Sequence, residues 1–139
     1  MNLGMPSTGP FGATLLRVLL GGMFLAHLSL KLFVFGPAGT AAFFGSLGLP
    51  AWLAYATMAA ELAGGVALLL GIQARFVALL MVPLILGTIA SVHGHNGFFF
   101  NNPKGGWEYP AVWAILLVVQ ALVGDGMAAL VPTGLPRRT

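Results

Sequence analysis

The chain has 139 residues, 58% of them hydrophobic and 6% charged, with a net charge of +3 and a mean hydropathy of +0.95. Soluble domains carry about 25% charged residues, so this composition excludes a water-soluble globular domain and specifies an integral membrane protein. Cysteine is absent, which rules out disulfides, thiolate catalysis, cysteine-ligated iron–sulfur clusters and covalently attached c-type haem on this chain.

The first apolar stretch, Phe11 to Phe35 (FGATLLRVLLGGMFLAHLSLKLFVF), exceeds the roughly 20 helical residues that span a bilayer. The preceding MNLGMPSTGP contains no Lys or Arg, and no small-residue cleavage pattern follows the run. A retained helix is therefore expected, not a cleaved signal peptide. It carries Arg17, His27 and Lys31. At about 100° per residue, Lys31 falls about 40° and His27 about 80° from Arg17 on the helical wheel, so the three share one face. A charge in the hydrocarbon core costs about 2.5 kcal/mol or more, so that face must look into a bundle.

Gly36-Pro37 ends this helix. The Gly-rich connection GPAGTAAFFGSLGLP, with Phe43 and Phe44, suits a short helix lying at the interface, where aromatic rings are comfortable. A second span opens after Pro50, with Trp52 and Tyr55 at headgroup level and Glu61 near its middle. A turn at Gln73-Ala74 leads to Arg75 and a third span, in which Pro83 is a kink that neighbouring helices can satisfy. His93 to Trp107 (HGHNGFFFNNPKGGW) is the most polar stretch. The fourth span starts at Glu108, and Gly124-Asp125-Gly126 begins its frayed end. Gly21, Gly22, Ala60, Gly64, Gly65 and Gly71 are placed for close helix contact.

The fold class is therefore all-α: a four-helix transmembrane bundle with a short interfacial helix between the first and second spans. A single domain covers residues 1–139, with helices at about 11–35, 51–72, 75–92 and 108–123. Both termini fall on one side. Arg17, Arg75, Arg137 and Arg138 lie towards that side and Lys31 and Lys104 towards the other. The positive-inside bias places both termini in the cytoplasm of a multi-pass cell (inner) membrane protein. The cations are scattered and offer no nucleic-acid surface.

With a rise of about 1.5 Å per residue, Arg17 lies about 8 Å, His27 about 22 Å and Lys31 about 28 Å above the inner edge. Glu61 lies about 16 Å above it. This pairs Arg17 with Glu61 as a structural ion pair. His27, Lys31, His93, His95 and Glu108 then gather towards the outer surface. Histidine is the side chain best suited to exchanging protons near neutral pH. Phe99 and Trp107 belong to an aromatic run that reads either as a headgroup-level belt or as the mouth of a pocket for a flat redox-active headgroup such as a quinone. The quinone-binding candidates are His27, Lys31, His93, Phe99, Trp107 and Glu108. A metal site from His27, His93, His95 and Glu108 is disfavoured, because His93 and His95 at i and i+2 do not share a helix face, and no catalytic residue is assigned. No phosphate loop or dinucleotide fingerprint is present.

RVLLGGMFLAHLSLKLF, FFGSLGLPAWLAY, ELAGGVALLLGIQAR, and HGHNGFFFN followed by GGWEYP, in this order and spacing, resemble the DoxX family of small four-helix membrane proteins. The residues that fit the family's polar pattern are Arg17, His27, Lys31, Glu61, Arg75 and Glu108. A glycine is expected after the first-helix His, and here Leu28 stands there. The resemblance implies association with membrane oxidoreductases: a terminal quinol oxidase, a thiosulfate:quinone oxidoreductase and a membrane complex linking detoxifying redox enzymes. The expected function is a small membrane subunit of a quinone-linked redox system, in the lipid bilayer beside other redox subunits, with no covalent cofactor and with room for self-association. The alternative is a non-catalytic accessory or assembly subunit packed against a larger complex. A proton-coupled carrier is disfavoured, since Arg17 alone among titratable groups lies between Glu61 and the inner surface.

Overall fold

The computed structural model describes residues 6–134. Helix α1 runs Gly9–Ser29 and continues as a π-helical turn, Leu30–Val34. Helix α2 (Pro37–Ser46) is the short helix expected between the first two spans. Helices α3 (Ala51–Leu70), α4 (Ala74–Thr88, continued by the π-helical turn Ile89–His93) and α5 (Glu108–Val123) complete the bundle. Among the described residues three helical stretches are long and apolar enough to cross a membrane: Gly9–Val34, Ala51–Leu70 and Ala74–His93. Helix α5 has 16 residues, about 24 Å at the α-helical rise, and packs along α4. β-Pairing among the described residues is limited to one isolated parallel bridge between Ile72 and Val131.

Each long helix buries one stripe at helical spacing: Ala13, Arg17, Leu20, Phe24 and Leu28 on α1, and Ala74, Ala78, Met81 and Ile85 on α4. Residues three, four and seven apart lie on one face, so these stripes, with Trp113, Leu117 and Ala121 of α5 and Leu68 of α3, close a single core. Leu15, Leu80 and Leu122 point outward, as a lipid-facing surface allows. Helices α1 and α3 approach backbone to backbone. A Cβ on Gly21 would stand 2.8 Å from the Gly65 carbonyl oxygen, and one on Gly64 would stand 2.6 Å from Met81 Sδ. Gly21, Gly64, Gly65 and Gly71 are thus close-packing positions, the last against Arg17 and Ala129, whereas Gly22 faces open space.

The segment after α5 is not frayed, contrary to expectation. Thr14 Oγ1 accepts from the Met127 N–H at 2.6 Å, and Asp125 accepts from both the backbone N–H and the hydroxyl of Thr133. Backbone bonds from Leu130 to Leu70, Val131 to Gly71 and Gln73 to Val131 tie the segment under the α3–α4 turn. Arg75 donates to the Ala121 and Leu122 carbonyls, which are orphan acceptors at the C-terminus of α5.

Candidate functional site

The interhelical register decides which charges meet. Arg17 packs against Gly71 at the end of α3, and Leu25 against Gly65. Counting along the antiparallel pair at about 1.5 Å per residue brings Glu61 level with the turn of α1 that contains His27. Lys31 lies one turn further on, and helical side chains lean back towards the N-terminus. Its ammonium therefore returns to Glu61, with Nζ 2.8 Å from Oε1.

The expected pairing of Arg17 with Glu61 is thus corrected. Arg17 is almost fully buried, and its Nη2 donates to the Met127 carbonyl at 2.9 Å. Helix α3 ends opposite Arg17, not below it, so Glu61 stands about ten residues, or about 15 Å, higher. Nε and Nη1 of Arg17 have no partner among the described residues.

His27 sits beside the ion pair. Its Nδ1 lies 2.9 Å from the Met23 carbonyl, which can only accept, so Nδ1 carries the proton. In the neutral ring Nε2 then accepts from the Tyr109 hydroxyl at 3.3 Å. Trp113, one turn along α5, packs its ring 4.8 Å from that of His27 and 4.8 Å from that of Phe24.

These groups form the polar wall of a cavity of about 1030 Å³. Its other walls are mainly apolar and come from α2 (Phe43, Phe44), α3 (Leu53) and α4 (Leu84), with the Thr40, Thr57, Thr88 and Ser91 hydroxyls and His93 set among them. Both π-helical turns line it, and such turns widen a helix at positions often used functionally. Helix α2 is thus a wall of the cavity as well as a connection.

Of the residues expected at a quinone site, His27, Lys31 and His93 line this cavity, whereas Phe99, Trp107 and Glu108 do not. The loop that carries the last three closes on itself. Trp107, Glu108 and Gly106 donate backbone N–H groups to the carbonyls of Gly97, Phe98 and Phe99. Glu108 Oε2 accepts from the Phe100 N–H at 3.2 Å, and the Trp107 ring meets Phe98 edge-on. His93 Nδ1 donates to the Gly105 carbonyl at 2.9 Å, while His95 is exposed. Among the described residues no three His, Asp or Glu side chains are grouped so as to hold a metal ion.

Glu61, Tyr109 and Trp113 join the site instead. Tyr109 and Trp113 stand at i and i+4 on α5, a spacing visible in the sequence once the face of that helix is known. Two buried atoms on the cavity residues have no partner among the described residues: Glu61 Oε2 and Trp113 Nε1.

The model of the DoxX family matches residues 12–94. That stretch contains α1 from Gly12 onward, all of α2 to α4 and every cavity residue outside α5. CatD of Bacillus subtilis (strain 168), which carries a provisional description as an oxidoreductase, is 36% identical over 121 residues, 87% of this chain and 85% of its own length. No solved structure matches the chain. A family match over more than half of the sequence, a relative aligned along most of both chains and an all-helical membrane fold lead to one assignment: the chain belongs to the DoxX family.

Proposed function

We propose that this chain is a small membrane subunit of a quinone-linked redox system, with the cavity between α2, α3 and α4 receiving a quinone headgroup. The observation that carries this reading is the cavity itself: about 1030 Å³, mainly apolar, with the Lys31–Glu61 ion pair, His27 and Tyr109 gathered on one wall and only His93 and a few hydroxyls elsewhere. A flat ring with a few oxygens requires such a lining. The description of CatD as an oxidoreductase agrees with a redox role.

With no cysteine in the sequence and no metal-ligating cluster among the described residues, electrons leaving the ring would pass to a partner subunit or to a soluble acceptor. The termini are assigned to the cytoplasm and the cavity to the outer half of the membrane. The deciding experiment is purification from native membranes in mild detergent followed by extraction of lipid-soluble cofactors. A bound quinone, lost in a Leu84→Trp variant that fills the cavity, is the expected result. A large co-purifying complex with no quinone would favour the non-catalytic accessory role.

A further inference from the structure

Hydrogen-bonding capacity around the cavity is unevenly spent. Thr40 Oγ1 donates to backbone carbonyls of Lys31 or Gly36. Thr88 and Ser91 donate to Ile85 and Gly87, and the Tyr109 hydroxyl is used by His27. Thr57 Oγ1 and His93 Nε2, also on the lining, have no partner among the described residues; the first can donate or accept and the second, with Nδ1 donating to Gly105, accepts. Two further donors are left over. Lys31 Nζ keeps hydrogens beyond the one directed at Glu61 Oε1, and Trp113 Nε1–H has no acceptor among the described residues. Against these donors stands one charged acceptor, Glu61 Oε2, on a residue only 3% exposed and likewise without a partner there. A buried carboxylate oxygen without a donor is costly, and a ligand that satisfies it must bring an O–H or N–H.

From this we infer that the cavity discriminates by oxidation state: it holds the reduced, hydroxyl-bearing ring of a hydroquinone in preference to the oxidised dione. Glu61 Oε2 accepts from the ring hydroxyl, and Lys31 Nζ and Trp113 Nε1 donate to ring oxygens. The inference rests on the proposed quinone-linked role and names which form of that ligand the site takes. As the carboxylate of an ion pair, Glu61 offers acceptors alone, so a quinone carbonyl facing Oε2 sets acceptor against acceptor. A hydroquinone hydroxyl makes a charge-assisted bond there, of the shorter and stronger class. Glu61 is thereby a specificity-determining residue, whose role is to fix the form of the ligand that stays bound.

The test is direct binding to the purified full chain in lipid nanodiscs, using a short-tailed benzoquinone, its hydroquinone and the hydroquinone dimethyl ether. The ether keeps the ring and loses both donors. The expected result is hydroquinone binding on the order of tenfold or more tighter than either of the other two. In Glu61→Gln, whose amide adds a donor, that preference should collapse while the quinone gains affinity. A cooperative thermal transition of the variant that stays above the assay temperature separates this from loss of fold. Should the variant unfold early, the wild-type comparison of hydroquinone with its ether decides alone. Quinone binding as tight as hydroquinone, or an ether binding equally well, overturns the inference and leaves the proposed role standing. Absence of binding by all three overturns both.

Discussion

Lys31 and Glu61 lie 30 residues apart in the chain, yet Nζ and Oε1 are 2.8 Å apart across the α1–α3 interface. Breaking one partner of a buried ion pair costs about 3–5 kcal/mol, because the other charge is left uncompensated. Replacing both by apolar side chains of similar volume is often close to neutral. Lys31→Met alone should therefore lower stability by about 3 kcal/mol, whereas Lys31→Met with Glu61→Met should recover most of that loss. Reversible unfolding in SDS measures both. Additive losses in the double variant would show that the pair is not the coupled unit described.

Two adjacent glycines of α1 should answer differently to the same change. A Cβ at Gly21 meets the Gly65 carbonyl at 2.8 Å and the Leu69 backbone nitrogen at 2.9 Å. Neither is a flexible side-chain end, so Gly21→Ala must push α1 from α3, at about 1–3 kcal/mol. Gly22 has nothing within 4 Å, and alanine is the better helix former by about 1 kcal/mol. Gly22→Ala should leave the melting temperature unchanged or raise it. Equal losses at both positions would contradict the backbone contact.

The helices themselves are legible in the sequence. Glu108–Val123 has the expected bounds, and Gly9–Val34 and Ala74–His93 differ from expectation by one or two residues at each end. Hydropathy and Gly/Pro punctuation report span positions directly. Register is less legible, because depth counted from helix ends assumes that α1 and α3 finish at the same level. Helix α1 begins at Gly9, eight residues before Arg17, which is level with the end of α3, and that overhang moves Glu61 from Arg17 to Lys31. Nor does composition show that HGHNGFFFNNPKGGW spends its polar groups on its own backbone. Asn96 Nδ2, for instance, donates to the Val92, Lys104 and Gly105 carbonyls. A belt of Phe and Asn reads alike whether it opens a pocket or closes a loop.

That loop has a pivot. Gly106 is buried, and a Cβ there would collide with the carbonyl oxygens of Gly97, Phe98 and Phe99. Two of these accept the N–H groups of Trp107 and Glu108, so Gly106→Ala cannot be absorbed without breaking the turn. Limited proteolysis between Gly94 and Trp107 should become many-fold faster in this variant. His95→Ala, at an exposed position, should digest like the wild type. Unaltered digestion of Gly106→Ala would mean that the loop is held by something other than these bonds.

The absence of cysteine makes the proposed orientation open to a clean measurement. Arg17 and Arg75 lie at the end of the bundle where α1 begins and α5 stops, and Lys104 lies on the opposite loop. Arg137 and Arg138, counted with the first pair, fall outside the described residues. Arg17 and Arg75 are bonded to backbone carbonyls in the folded chain, but orientation follows the placement of Lys and Arg near the ends of the spans. Single cysteines at Lys104→Cys and Pro132→Cys, both exposed positions, report one end each. A membrane-impermeant maleimide on intact cells should label Lys104→Cys fully and Pro132→Cys only after permeabilisation. The reverse pattern would place the cavity on the cytoplasmic side. The donor or acceptor of its ligand would then have to be sought there.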